Sequence, residues 1–205
     1  METAQLITAF VSLFVVIDPI ALTPLFITLT KGMPKQQRRA IALRACLIAM
    51  GLLTLFGLLG ETLLGFIGIS LPAFQIAGGI LLFLTALEML FERRTVRRKG
   101  QANMADDPSV FPLATPLIGG PGAIATMILL TGQADGDWSA TIQVLLVMVA
   151  VLTVVFSFFS LAGLVERLLG PTGTNVTSRL LGMLLAALSV QFVINGITAT
   201  NWFGT

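Results

Sequence analysis

Two apolar stretches of this chain each carry a pair of prolines five residues apart, and an aspartate precedes the first pair. The first stretch runs Val15-Val16-Ile17-Asp18-Pro19-Ile20-Ala21-Leu22-Thr23-Pro24; the second runs from Pro112 through Thr115, Pro116, Gly119 and Gly120 to Pro121, Gly122 and Ala123. Paired prolines remove two backbone donors and crowd the preceding turn, so each helix should unwind between them. A helix restarting at Pro24 or Pro121, with Thr23 or Gly120 as its cap, presents unpaired amides. Such amides suit a carboxylate. Asp18 lies near mid-span, where an ionised carboxylate costs about 2.5–3.5 kcal/mol on insertion scales. With no Lys or Arg expected at that depth, its partner would be a cation, a proton, a substrate ammonium or the restarted amides; alternatively it simply caps a helix beginning at Pro19. The candidate solute-binding set is therefore Asp18, Pro19, Thr23, Pro24, Thr115, Pro116, Gly119, Gly120, Pro121 and Gly122. Glu88, Gln191 and Asn195 are candidates for coupling or polar support.

The elements that must position these residues follow from composition. Of 205 residues 56% are hydrophobic and only 11% charged, against about 25% charged in soluble domains, so the chain belongs in a membrane. Apolar runs place spans near 6–29, 41–60, 71–91, 110–130, 140–165 and 180–199. Each is long enough to cross as a helix and too continuous for a barrel strand. With no His and no Tyr, proton chemistry falls to carboxylates. Cys46 stands alone and reads as a small buried hydrophobe. All twelve Lys and Arg residues fall on one side of a six-span scheme, which places the odd loops in the cytoplasm and both termini outside. The run from Arg93 to Lys99 is explained by this topology without a nucleic-acid ligand, and Asn201-Trp202 reads as an interfacial terminus.

Aligning Pro19 on Pro116 puts Pro24 on Pro121 and Asp18 on Thr115, while Gly79 precedes Glu88 by the interval at which Gly182 precedes Gln191. A duplicated three-span unit enters the membrane from opposite sides. The expected fold is thus a single all-α transmembrane domain over 1–205, an inverted 3+3 repeat (1–100 and 110–205) joined by a basic cytoplasmic loop at 92–109, with helices 1 and 4 broken. Repeats of this kind mark alternating-access transporters, with the solute held where the breaks meet.

At these residues the chain resembles the MarC family of bacterial inner-membrane proteins (UPF0056-like). That family shares an Asp-Pro break in span one, here Asp18-Pro19, and a Pro-Leu-Ala-Thr-Pro-Leu-Ile-small-Gly-Pro-Gly-Ala-Ile signature, here Pro112 to Ile124. Gly119 stands where Ala is common. The resemblance covers essentially the whole chain. It implies membership of the lysine-exporter-like superfamily and transport of small neutral amino acids. The expectation is an inner-membrane secondary transporter of a small solute, driven by a proton or sodium gradient, with the bilayer and the solute as partners and no cofactor or nucleic acid. It is not expected to be an enzyme, although an intramembrane enzyme or flippase acting on a lipid head group, or a drug or lipid exporter, is the alternative. No nucleotide-binding loop is present to supply ATP energy.

Overall fold

Helices account for every regular element among the described residues of the computed structural model, which are 2–91, 107–134 and 136–200, with Glu166 described by its backbone alone. They are α1 (Thr3–Ile17), α2 (Pro19–Leu29), α3 (Lys35–Ile67), α4 (Leu71–Leu90), α5 (Ser109–Ile118), α6 (Pro121–Gly132), α7 (Trp138–Ser160) and α8 (Ala162–Ala199). The helical segments Thr3–Leu29, Lys35–Ile67, Leu71–Leu90, Trp138–Ser160 and Arg167–Ala199 are each long and apolar enough to cross a bilayer. A sixth crossing is possible if α5 and α6, bent by 54° at a short break, form one span. The basic run 93–99 and the terminal Asn201-Trp202 lie outside the described residues.

The interrupted segments are the innermost ones. Most of the α1–α2 window is buried (61%), against 28–39% for the other four long spans, and α6 is buried at nearly every position from Gly122 to Gly132. A helix apolar all round has no face to offer water, and belongs in an interior. Lipid gives helices no hydrophobic reason to associate, so close approach over small residues does that work. Consecutive α6 side chains enter glycine notches on the flanking helices. A Cβ at Gly57 of α3 would stand 3.0 Å from Met127, one at Gly60 2.5 Å from Ile128, and one at Gly78 of α4 3.0 Å from Leu129.

The closest pairing joins α4 and α8. A Cβ at Gly79 would meet the Ser189 carbonyl oxygen at 2.8 Å and Val193, and one at Gly182 would meet the Ala86 carbonyl oxygen at 3.3 Å and Leu90. The step in sequence that carries Gly79 to Gly182 also carries Ala86 to Ser189 and Leu90 to Val193. Each set of contacts is therefore the other's counterpart, the relation a two-fold axis between antiparallel helices generates.

The break between spans five and six departs from expectation. In place of a loop up to Leu180, α8 begins at Ala162 and is interrupted only at Gly170 (φ 59°, ψ −178°), with Pro171 following. Glycine supplies a backbone angle that other residues resist, and proline is preset for a first helical turn. The segment from Thr172 to Arg179 reads as loop because Val176 is its one large apolar residue. It is helical because Ser178 is buried, and Gly173 to Asn175 are half-buried, against protein.

Candidate functional site

The first break is one residue long. Asp18 takes a left-handed conformation (φ 57°, ψ 65°), the one positive φ outside glycine among the described residues. Its N–H donates to the Phe14 carbonyl at 2.9 Å, ending α1. Its Oδ1 accepts from the Ala21 N–H at 3.2 Å, starting α2. Aspartate is among the few side chains that visit this region, because its short polar arm can bond locally. At 1% exposure the surrounding packing holds it there.

This placement corrects two expectations. The helix restarts at Pro19 with Asp18 as cap, so Pro24 lies inside α2 and Thr23 does not cap it. Thr23 instead donates from its hydroxyl to the Pro19 carbonyl at 2.8 Å. The Pro24 end accordingly offers no free amides to a carboxylate. A proline at the first position costs no hydrogen bond, whereas one in the interior removes a single donor, so a one-residue interruption suffices where an unwound stretch from Pro19 to Pro24 was expected.

The second break is longer. In α5 the N–H of Leu113 reaches the Pro108 carbonyl at 3.2 Å and that of Gly119 reaches Ala114 at 2.8 Å, five residues back in each case. Phe111 and Thr115 are non-helical within it, and the bonds before Pro112 and Pro116 are cis. Gly120 is extended and α6 restarts at Pro121 as expected, without a side-chain cap. Thr115 and Pro121 are exposed and Pro116 half-buried, while Gly119, Gly120 and Gly122 are buried. The glycines leave less room than their composition implied. A Cβ at Gly119 would stand 2.9 Å from Leu52, and one at Gly120 would run into the Pro116 carbonyl oxygen. Neighbouring atoms, not open space, explain the need for glycine there.

The two breaks abut. A Cβ at Gly122, in the first turn of α6, would stand 3.1 Å from Val16 in the last turn of α1, 3.5 Å from Leu82 and 3.8 Å from the Thr85 hydroxyl. From the other side α8 reaches the first break, its buried Ser178 donating from Oγ to Asp18 Oδ2 at 3.4 Å. Arg179, exposed, follows Ser178 directly on α8, so a basic residue stands one position from the Asp18 contact where none was expected near it. Val16, Ile17, Asp18 and Arg179 each hold a further polar interaction. The apolar runs leave Arg179 at the edge of a loop; the Gly170-Pro171 pair is the sequence signal for a helix restarting before it.

The supporting candidates sit apart from the breaks. Gln191 donates from Nε2 to Asn195 Oδ1 at 2.7 Å, one turn away on the exposed face of α8. Glu88 is half-buried, lines a groove of about 450 Å³ with Leu84, Leu87 and Phe91, and holds a polar interaction. Cys46 is buried as expected. Among the described residues no three metal-ligating side chains converge.

At the end of the molecule bearing the basic loops, Arg38 lies over the Phe26 ring at 5.6 Å, and Phe26 stacks on Phe159 at 4.4 Å. Arg44 pairs with Asp107 at 3.0 Å. The Ser109 hydroxyl and amide also donate to Asp107, and these bonds, followed by Arg44, hold its carboxyl below the ordinary value of 3.8. A carboxyl depressed on folding stabilises the fold above its ordinary value, and that contribution fades as the pH falls below about 3.8 toward the lowered value. Both partners are solvent-accessible, so Asp107→Asn should lower the melting temperature in detergent at neutral pH by no more than about 2 °C. The difference between the two proteins should narrow as the pH falls below about 3.8; a gap that does not narrow would assign the effect to the turn rather than to the charge.

The family model described as "MarC family integral membrane protein" matches residues 3–201. Among curated proteins, the chain is 35% identical over 201 residues to a UPF0056 membrane protein of Methanocaldococcus jannaschii, covering 96% of this chain and 98% of that one. It is 37% identical over 197 residues to a UPF0056 membrane protein of Aquifex aeolicus, covering 93% and 91%. It is 33% identical over 193 residues to the UPF0056 inner membrane protein YhgN of Escherichia coli K12, covering 94% and 96%. No solved structure matches it.

Proposed function

The chain belongs to the MarC family of integral membrane proteins, and on that footing we propose that it is a secondary transporter of a small solute, a neutral amino acid, working by alternating access at its two interrupted helices. The observation that carries this reading is the meeting of the breaks: the last turn of α1 touches the first turn of α6 beside a fully buried carboxylate. Interrupted backbone at membrane depth is tolerated where it is covered by protein or lines a cavity, and a structural subunit has no use for two such places in contact. Asp18 supplies the negative end of the site and would receive an ammonium or a coupling proton or sodium ion. The reciprocal α4–α8 contacts are consistent with two halves related by an axis, which lets one half rock against the other. By its charge distribution and its likeness to YhgN, the protein would lie in the inner membrane with its termini outward.

Purified protein titrated with L-alanine, glycine and L-serine, with and without sodium, tests the reading. A ligand of the folded state at 100 times its Kd adds about 2.7 kcal/mol, so at least one of the three should raise the melting temperature by several degrees. Uptake of the same amino acid into proteoliposomes should require an ion gradient. If none of them shifts melting or crosses the vesicle, while a polyprenyl phosphate is dephosphorylated, the enzyme alternative takes its place.

A further inference from the structure

A zwitterion needs two charged receptors within a few ångströms of each other, and the first break provides one. The amides expected at Pro24 do not exist, and the glycines at the second break are filled by neighbours. A basic side chain, the exposed Arg179, lies instead on α8, one residue after Ser178. Pro171, Thr172, Asn175, Val176 and Arg179 line a groove of about 270 Å³. Their spacing places them on one stripe of the helix, and the far end of the stripe adjoins Ser178, whose hydroxyl is 3.4 Å from Asp18 Oδ2. A guanidinium in a groove with an amide and a hydroxyl beside it is a set of donors, suited to the two oxygens of a carboxylate.

We propose that Arg179, with Asn175 and Thr172 beside it in the α8 groove, is the carboxylate receptor of a zwitterion site whose ammonium receptor is Asp18. This rests on the transporter reading and names the residues that would make it selective. Both charged groups already hold polar interactions, so a solute enters by exchanging with them rather than by filling a vacancy. An α-amino acid separates its two charges by a single carbon. Bridging the two receptors would leave neither charge unpaired, a state whose avoidance matters in low dielectric. The groove is smaller than the roughly 300–1,000 Å³ of pockets for drug-sized ligands, which favours short side chains.

Three probes separate the receptors by equilibrium binding to the full-length protein: L-alanine with both charges, L-alaninamide without the carboxylate and N-acetyl-L-alanine without the ammonium. The wild type should bind L-alanine at least about 10-fold more tightly than either analogue, the loss expected for one charge-assisted contact. Arg179→Gln should weaken L-alanine about 10- to 100-fold and leave L-alaninamide within about 3-fold of wild type; Arg179→Lys should recover part of the loss. The assignment is overturned if Arg179→Gln weakens L-alaninamide as much as L-alanine, or weakens neither. Should Arg179→Gln not fold, the wild-type series still decides, because a wild type that binds L-alaninamide as tightly as L-alanine has no carboxylate receptor. That outcome leaves the transporter reading standing, whereas a wild type that binds neither L-alanine nor any other neutral amino acid overturns both.

Discussion

Asp18→Asn should lower amino-acid uptake into proteoliposomes at least about 100-fold while yielding a protein that folds, inserts and melts within a few degrees of the wild type. The substitution is informative because it removes the charge and little else. Asparagine tolerates the left-handed backbone that φ 57° requires, and it caps helices about as well as aspartate. The amide oxygen can keep the bond from Ala21, and the Ser178 hydroxyl can turn to accept from the amide nitrogen that would stand in place of Oδ2. An ionised carboxylate at 1% exposure is costly to desolvate, so neutralising it need not destabilise the fold. Asp18→Ala should behave differently. It loses the cap, about 1 kcal/mol, and forces an alanine into a region that costs a further ~1–2 kcal/mol, so lower expression and a lower melting temperature accompany the loss of uptake. Full uptake by Asp18→Asn would take this carboxylate out of the mechanism and leave it a helix cap.

The contrast between these variants also indicates which parts of the site were legible in the sequence. The buried carboxylate, the interruption beside Pro19 and the restart at Pro121 all follow from residue type, because proline and glycine act locally. The assignment of Pro24 to a helix start failed since two prolines admit either one break or two, and the choice depends on what caps the restart; Asp18, one residue before Pro19, already does so. The aligned positions also differ in surroundings for a local reason. Asp18 aligns with Thr115, yet one is buried and the other exposed, as the second break is spread over several residues and the first over one. Six apolar runs could be counted because lipid imposes a length. The start of α8 could not, since hydropathy recognises helix by contact with lipid, and the turns around Ser178 contact protein. Arg179 was hidden by that rule, as any polar helix packed against a polar break would be.

Gly79→Ala should lower stability in detergent by about 1–3 kcal/mol, and Gly79→Leu should leave little folded protein. The first methyl group would stand 2.8 Å from the Ser189 carbonyl oxygen and 2.7 Å from Val193. The former is backbone and cannot rotate away, so α4 and α8 must separate and forfeit the close contact on which association in lipid depends. Gly182→Ala, whose nearest backbone atom is the Ala86 carbonyl oxygen at 3.3 Å, should cost less, with the same sign. Gly51→Ala is the control: nothing lies within 4 Å of a Cβ there, and alanine is the better helix former by about 1 kcal/mol, so stability should hold or rise. A Gly79→Ala protein as stable as Gly51→Ala would mean that α4 and α8 do not approach as described. The expected result has a functional corollary. If α4 and α8 form the fixed joint between the halves, variants there should reduce the amount of folded protein without altering preference among L-alanine, L-alaninamide and N-acetyl-L-alanine; Asp18→Asn and Arg179→Gln should do the reverse.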